Sequence, residues 1–242
     1  LRCSGTDRGR PGLSADEKSR TFVADGDALA LDDDRGELLA SARMPTDIPL
    51  RCACGTIRGT ALAVAPGAGN HVVCYCKDCQ AFARFLGGPG ITDEQGGTDI
   101  FQMAPGRVRI TAGAEALACV RLSDKGLHRW YCRDCKTPLG NTVSARVPFV
   151  GLIHSFMDPA SDGPAREAAL GRPIVHAFPE GATGRLPRFP GDISMPRFFA
   201  RAARLMLTWL VTGVASPSPF FAGKGAPRSA PQVLTPEQRR AL

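Results

Sequence analysis

Seven of the nine cysteines stand in three tight clusters: Cys52-Ala-Cys54-Gly55, Cys74-Tyr-Cys76-Lys-Asp-Cys79 and Cys132-Arg-Asp-Cys135. Thiolates one to three residues apart can converge on one soft metal ion, because each short turn projects its sulfurs to the same side. Seven ligands divide naturally as four plus three. Four thiolates close a tetrahedral zinc site; three leave a coordination position open, which a catalytic zinc needs. Disulfides are the competing use of these residues. The odd number of cysteines, the awkward placement of a bridge within Cys-x-Cys and the length of 242 residues argue against it. Thiolate metal sites imply a reducing compartment, hence the cytoplasm. Cys3 and Cys119 match no cluster, and Cys119, between Ala118 and Val120, reads as a small buried apolar residue. His71, His128, His154 and His176 are candidates for a further ligand or a proton shuttle. His71 ranks first because it lies close to Cys74.

The elements that must position these sulfurs are mostly strands. Gly and Pro make up roughly a fifth of the chain, well above the average of about 12%, which favours a loop-rich β fold over a helical bundle. Strands are expected at Thr56–Val64, His71–Tyr75, Phe101–Met103, Arg107–Ile110, Ala118–Leu122, Leu127–Tyr131 and Phe149–Ile153. Pro105-Gly106 and Ser123–Gly126 are turn signals. A short helix is expected over Asp78–Phe85, directly after the second cluster. Residues 1–47 carry ten acidic and seven basic residues, including the Asp32–Asp34 run; they read as a poorly ordered extension with one possible short helix at Leu29–Ala42. The one long helix expected is Pro196–Val214, capped by Ser194 with Pro196 in its first turn. Arg197, Arg201, Arg204, Thr208 and Thr212 form a polar stripe expected in solvent. Phe198, Phe199, Leu205, Met206, Leu207, Trp209 and Leu210 form a wide apolar face expected to pack on the preceding domain. Residues 215–242 read as a flexible tail.

Net charge is +7, and its excess falls entirely in the last third. Residues 1–165 balance 19 basic against 19 acidic side chains, whereas residues 166–242 hold 11 against 4. The basic excess lies away from the cysteines, and the clusters lack interleaved aromatics, so specific nucleic-acid binding is not expected. No apolar run reaches the ~18 residues of a membrane span, which leaves a peripheral contact through residues 196–214 as the open membrane reading. No signal-peptide pattern opens the chain, and its start at Leu1 rather than Met is that of a possible fragment.

The order Cys52-x-Cys54-Gly55, Cys74-x-Cys76-x-x-Cys79, Cys132-x-x-Cys135 resembles the signature of the glutathione-dependent formaldehyde-activating enzyme family, also called the centromere-protein-V-like domain. Ile57-Arg58-Gly59, Gln80-Ala81-Phe82 and Arg129-Trp130-Tyr131 agree with it. The match spans roughly residues 48–155 and continues towards 190. The resemblance implies a mainly β, Mss4-like antiparallel fold stabilised by two zinc ions; the N-terminal extension and the arginine-bearing C-terminal helix lie outside its core motif. The expected domains are an extension at 1–47, a zinc domain at 48–190 and a helix with tail at 191–242. It implies that Cys52, Cys54, Cys132 and Cys135 hold a structural zinc, and that Cys74, Cys76 and Cys79 hold a second, catalytic zinc. The implied activity is that of a carbon–sulfur lyase acting on glutathione adducts, with glutathione or another small thiol and an aldehyde as partners. Departures are Tyr75, where many relatives have His or another polar residue, and Lys77. No glutathione carboxylate clamp is legible; Arg58, Lys77, Arg84 and Arg129 are candidates by proximity alone. The alternative is a non-catalytic zinc-stabilised binding module on the same fold.

Overall fold

The computed structural model describes residues 44–88, 90–157, 163–186 and 191–242. Cys3, the acidic run and the helix expected at Leu29–Ala42 lie outside the described residues. The chain enters through β1 (Thr46–Arg51), turns at the first cysteine pair into β2 (Arg58–Val64), and continues through β3 (Asn70–Cys74) into α1 (Lys77–Phe85). There follow β4 (Thr98–Met103), β5 (Val108–Ala112), β6 (Leu117–Arg121), β7 (His128–Cys132), β8 (Pro138–Thr142) and β9 (Val150–Ile153). The last part holds α2 (Gly163–Leu170), β10 (Val175–Ala177), α3 (Met195–Val211), β11 (Gln232–Val233) and α4 (Pro236–Arg240).

The fold is mainly β, as expected. Strands β1, β2 and β5 form one antiparallel sheet; the other eight run in the order β10-β3-β4-β9-β8-β7-β6-β11. This larger sheet is antiparallel except at its edges, where β10 pairs parallel with β3 and β11 with β6. The expectation of an antiparallel fold therefore needs correcting at the two edges. The strands flanking Pro105-Gly106 also belong to different sheets, so that turn links the layers rather than closing a hairpin. Central strands β3, β8 and β9 are buried at every residue. They therefore have no solvent face to mark with alternating polarity, and β8, which carries Gly140 and Asn141, had no strand signal in its sequence.

The polar residues buried with these strands are tied off. His71, 3% exposed, bonds Asp99 Oδ1 through Nε2 at 2.8 Å and the Gly171 carbonyl through Nδ1 at 2.6 Å. Donating to both takes an N–H on each nitrogen, which the imidazolium form provides. Burial works against this charge, but the Asp99 bond and carboxylate and the Gly171 carbonyl outweigh it and raise the pKa. A raised folded pKa means that the stability this pair contributes is complete below the unfolded value of about 6.5 and is lost as pH rises through the folded value. An NMR titration of the His71 ring is expected to give a pKa above that of a free histidine. A pKa at or below it would mean a neutral ring and no such alkaline loss.

The chain beyond residue 190 is not a helix with a loose tail. The described residues from Met44 to Leu242 form one compact unit. Phe220 lies 5.1 Å from the Trp130 ring and Phe221 5.8 Å from it, both side chains buried. Past them β11 docks beside β6, and α4 is closed by a capping box at Thr235 and Gln238. Helix α3 also differs from expectation. Phe198, Leu205 and Trp209 are buried, but Phe199, Leu207 and Leu210 are not. Arg201 points inward instead of into solvent. It donates to Asn70 Oδ1 (2.7 Å) and to the carbonyls of Gly69 (3.1 Å) and Pro66 (3.4 Å). The turn before β3 leaves these acceptors facing the helix, and an arginine satisfies them better than any apolar residue can. That rotates the helix towards its arginine stripe and turns half of its apolar surface outward.

Candidate metal centres

The first centre joins two knuckles that lie eighty residues apart in sequence. Cys52 leaves β1 and Cys54 follows on a turn closed by Gly55, whose φ of 75° suits glycine. Cys132 ends β7, and the return to β8 passes through Cys135 and Lys136, the latter at φ 60°. Each knuckle is held by its own backbone: Gly55 N donates to Cys52 O (2.8 Å), Lys136 N to Cys132 O (2.9 Å), and Cys132 N to Thr137 O (2.9 Å). Thr137 stitches the knuckles together. Its hydroxyl accepts from Ala53 N at 2.9 Å and lies 3.1 Å from Cys135 Sγ. Ile57 N donates to Cys52 Sγ at 3.2 Å.

The four sulfurs lie within 4.8 Å of one another, with Cys52–Cys54 at 3.4 Å and Cys54–Cys132 at 3.8 Å. Zinc–sulfur bonds of about 2.3 Å at tetrahedral angles separate neighbouring sulfurs by about 3.8 Å. The donor set and its dimensions therefore fit a closed tetrahedral thiolate site. Burial pushes the Cys132 thiol up to about 12. Burial acts the same way on Cys135, but bonds from Thr137 and Cys54 outweigh it and bring that thiol to about 6. A metal entering the group displaces the retained protons.

The second centre is built on one strand–helix junction. Cys74 ends β3, Cys76 is the N-cap of α1, and Cys79 lies in its first turn. Their sulfurs also lie within 4.8 Å of one another. Cys76 Sγ accepts from Cys79 N at 3.4 Å, so a thiolate there caps the positive end of the helix. Bonds from Cys74 and Cys79 pull Cys76 down to about 2, while Cys74 is pushed up by the same sharing and by burial. Gln80 fixes the junction by donating to the carbonyls of Tyr75 (3.0 Å) and Gly181 (2.7 Å). A Cβ at Gly181 would collide with the Tyr75 carbonyl, so only glycine lets that loop close over the junction.

A buried cation completes this centre. Arg129, 2% exposed on β7, donates to Cys79 Sγ at 3.8 Å and to Asn141 Oδ1 at 3.4 Å, and lies over the Phe82 ring at 5.4 Å. Its second nitrogen is 4.0 Å from Asp78, which Arg239 of α4 binds at 2.6 Å. Of the four cations named by proximity, Arg129 alone meets the cluster. Arg58 donates to the Gly55 carbonyl beside the first centre, while Lys77 and Arg84 are exposed on α1. His71, the first-ranked candidate for a further ligand, does not serve as one, since both of its nitrogens are bonded elsewhere. Among the described residues no histidine joins either cluster. Tyr75 instead donates to Asp93 at 3.0 Å, and Cys119 is buried as expected. Sequence reasoning missed Thr137 and Arg239. Thr137 follows Cys135 too closely to signal more than a turn, and nothing local marks an arginine that acts 161 residues away.

A β fold carrying two thiol clusters of metal-binding dimensions defines the class of protein. The chain belongs to a family of unknown function, DUF6151, whose model matches residues 44–230. No curated protein matches it. Among solved structures it is similar to the crystal structure of a Rhodobacter sphaeroides protein, at 16% identity and a TM-score of 0.36, covering 49% of this chain and 94% of that one. No named member of the formaldehyde-activating family stands among these matches. No helix among the described residues is long and apolar enough to cross a membrane.

Proposed function

We propose that the protein is a zinc enzyme of carbon–sulfur bond chemistry on an Mss4-like fold, adding a small thiol such as glutathione to an aldehyde or releasing it from the adduct. The observation that carries this reading is the contrast between the two centres. One has four sulfurs and is closed by its own knuckles; the other has three sulfurs and a buried guanidinium. Cys74, Cys76 and Cys79 would hold a zinc ion, which would supply a position that keeps a substrate sulfur as thiolate. Cys52, Cys54, Cys132 and Cys135 would hold the structural ion.

In the forward direction a sulfur–carbon bond forms, the carbonyl π pair moves to oxygen, and that oxygen takes up the proton that the thiol gives up. Three protein thiolates already exceed the charge of the ion, so a fourth sulfur adds uncompensated negative charge. Arg129 opposes that charge from a dry position, where its effect is screened least. Cys76, the least buried of the three ligands, marks the accessible side. The reducing setting such thiols need accords with a cytoplasmic location.

The second reading, a zinc-stabilised binding module, is favoured by one observation: none of Arg58, Lys77 and Arg84 joins Arg129 in a carboxylate clamp beside the three-sulfur centre. Exchange NMR of the zinc-loaded protein with formaldehyde and glutathione, and with cysteine in place of glutathione, separates the two. The enzyme reading expects faster formation and breakdown of a hydroxymethyl thioether than in buffer, lost in Cys76→Ser. If neither thiol exchanges faster than in buffer, the enzyme reading fails and the module stands.

A further inference from the structure

Helix α3 is amphipathic twice over. One face holds it to the fold: Phe198, Leu205 and Trp209 are buried, Arg201 is bonded to the turn before β3, and Ala104 packs on Leu205 and Trp209. The opposite face is apolar and in water. Phe199 is 56% exposed, Leu207 62%, Leu210 54% and Val211 79%. Their spacing of i, i+8, i+11 and i+12 aligns them on one side of the helix, with Ala203 between them. Scattered exposed leucines are ordinary on a soluble protein; a continuous row held outward by an anchored helix is not.

Charge selects the occupant. Met195–Val211 contains no acidic residue, and Arg197 and Arg204 line the edge of the apolar row. Both are exposed, and among the described residues no carboxylate pairs with either. The surrounding stretch from residue 166 onward holds 11 basic and 4 acidic side chains. A second copy of the chain fits this surface poorly. Isologous pairing would bring two arginine-edged rows of like charge together, and the helix carries no carboxylate to offset them. We propose that the outer face of α3 docks on anionic phospholipid. Phe199, Leu207, Leu210 and Val211 enter the acyl boundary, and Arg197 and Arg204 lie among the headgroup phosphates. The helix lies in the interface rather than crossing it. This inference does not rest on the proposed enzyme activity.

The test uses the full zinc-loaded chain and sedimentation with two kinds of vesicle: pure phosphatidylcholine, and phosphatidylcholine with about 30 mol% phosphatidylglycerol. Binding is expected to the second only, and to weaken as salt rises to about 0.5 M. Leu207→Glu with Leu210→Glu, both at exposed positions, is expected to lower partitioning at least tenfold while the circular dichroism spectrum stays unchanged. Arg197→Gln with Arg204→Gln should cost roughly fivefold per arginine. Failure of the wild type to sediment with anionic vesicles overturns the proposal, as does equal binding by the double glutamate variant. A dimer in analytical ultracentrifugation that the glutamate variant dissociates, with no vesicle binding, would assign the face to a second copy instead.

Discussion

Cys132→Ser is expected to leave no soluble folded protein, whereas Cys76→Ser is expected to fold with its four-sulfur centre loaded and its three-sulfur centre empty. The reason is a comparison of magnitudes. Zinc in a closed thiolate site contributes on the order of 10 kcal/mol or more to folding, which matches or exceeds the whole stability of an ordinary domain, about 5–15 kcal/mol. The first centre joins the end of β1 to the end of β7, and so couples the two sheets. Losing a sulfur there removes both the metal and the tie. The second centre sits on the β3–α1 junction, which Gln80 also holds without metal through the Tyr75 and Gly181 carbonyls. Wild-type protein should therefore bind two zinc ions of unequal lability, a chelator removing the one at Cys74, Cys76 and Cys79 first. Metal analysis, circular dichroism and thermal melts of both variants decide the matter. Equal collapse of both variants, or two ions lost together, would make the second centre structural and remove the main support for an enzyme.

Arg129→Met is expected to weaken zinc at the three-sulfur centre about 10- to 100-fold, the usual cost of losing a partner that orients or balances metal ligands. The four-sulfur centre should be untouched. The guanidinium faces Cys79 Sγ from a buried position, so solvent does not readily replace its charge once it is gone. Asn141 also loses the group that bonds its side-chain oxygen. Arg129→Lys is expected to fall between wild type and the methionine variant, since it keeps the charge but not the planar fork that faces Cys79 and Asn141 with one nitrogen and Asp78 with the other. Competition with a chromophoric chelator measures the affinity, and the sulfur-to-metal charge-transfer band of the cobalt-substituted protein reports the ligand set. A methionine variant with wild-type affinity at both centres would show that Arg129 only fills space.

The sequence by itself determined the sulfur chemistry. Cys-x-Cys, Cys-x-Cys-x-x-Cys and Cys-x-x-Cys each bring their thiols together through a few bonds of local backbone, so their grouping within each motif follows from spacing. The division into four and three also follows from the count; which four belong together needed a resemblance to suggest it and the pairing of distant strand ends to bring it about. The mainly β class was legible for strands with alternating or β-branched runs, such as β3 and β7. It was not legible for β8, where Pro138 and Gly140 hide a strand whose burial on both sides comes from its neighbours. Only the tertiary structure decided what surrounds the sulfurs. His71 sits three residues from Cys74, yet it turns to Asp99 and the Gly171 carbonyl. Arg129 comes to Cys79 across fifty residues of chain because β7 passes beside α1. The rotation of α3 was decided in the same way. Its own pattern offered an arginine stripe for solvent and a broad apolar face for the core. Three unsatisfied acceptors at the Pro66–Asn70 turn drew Arg201 inward. Buried hydrogen-bond partners of this kind lie far off in sequence, and a helical periodicity cannot encode where they will be.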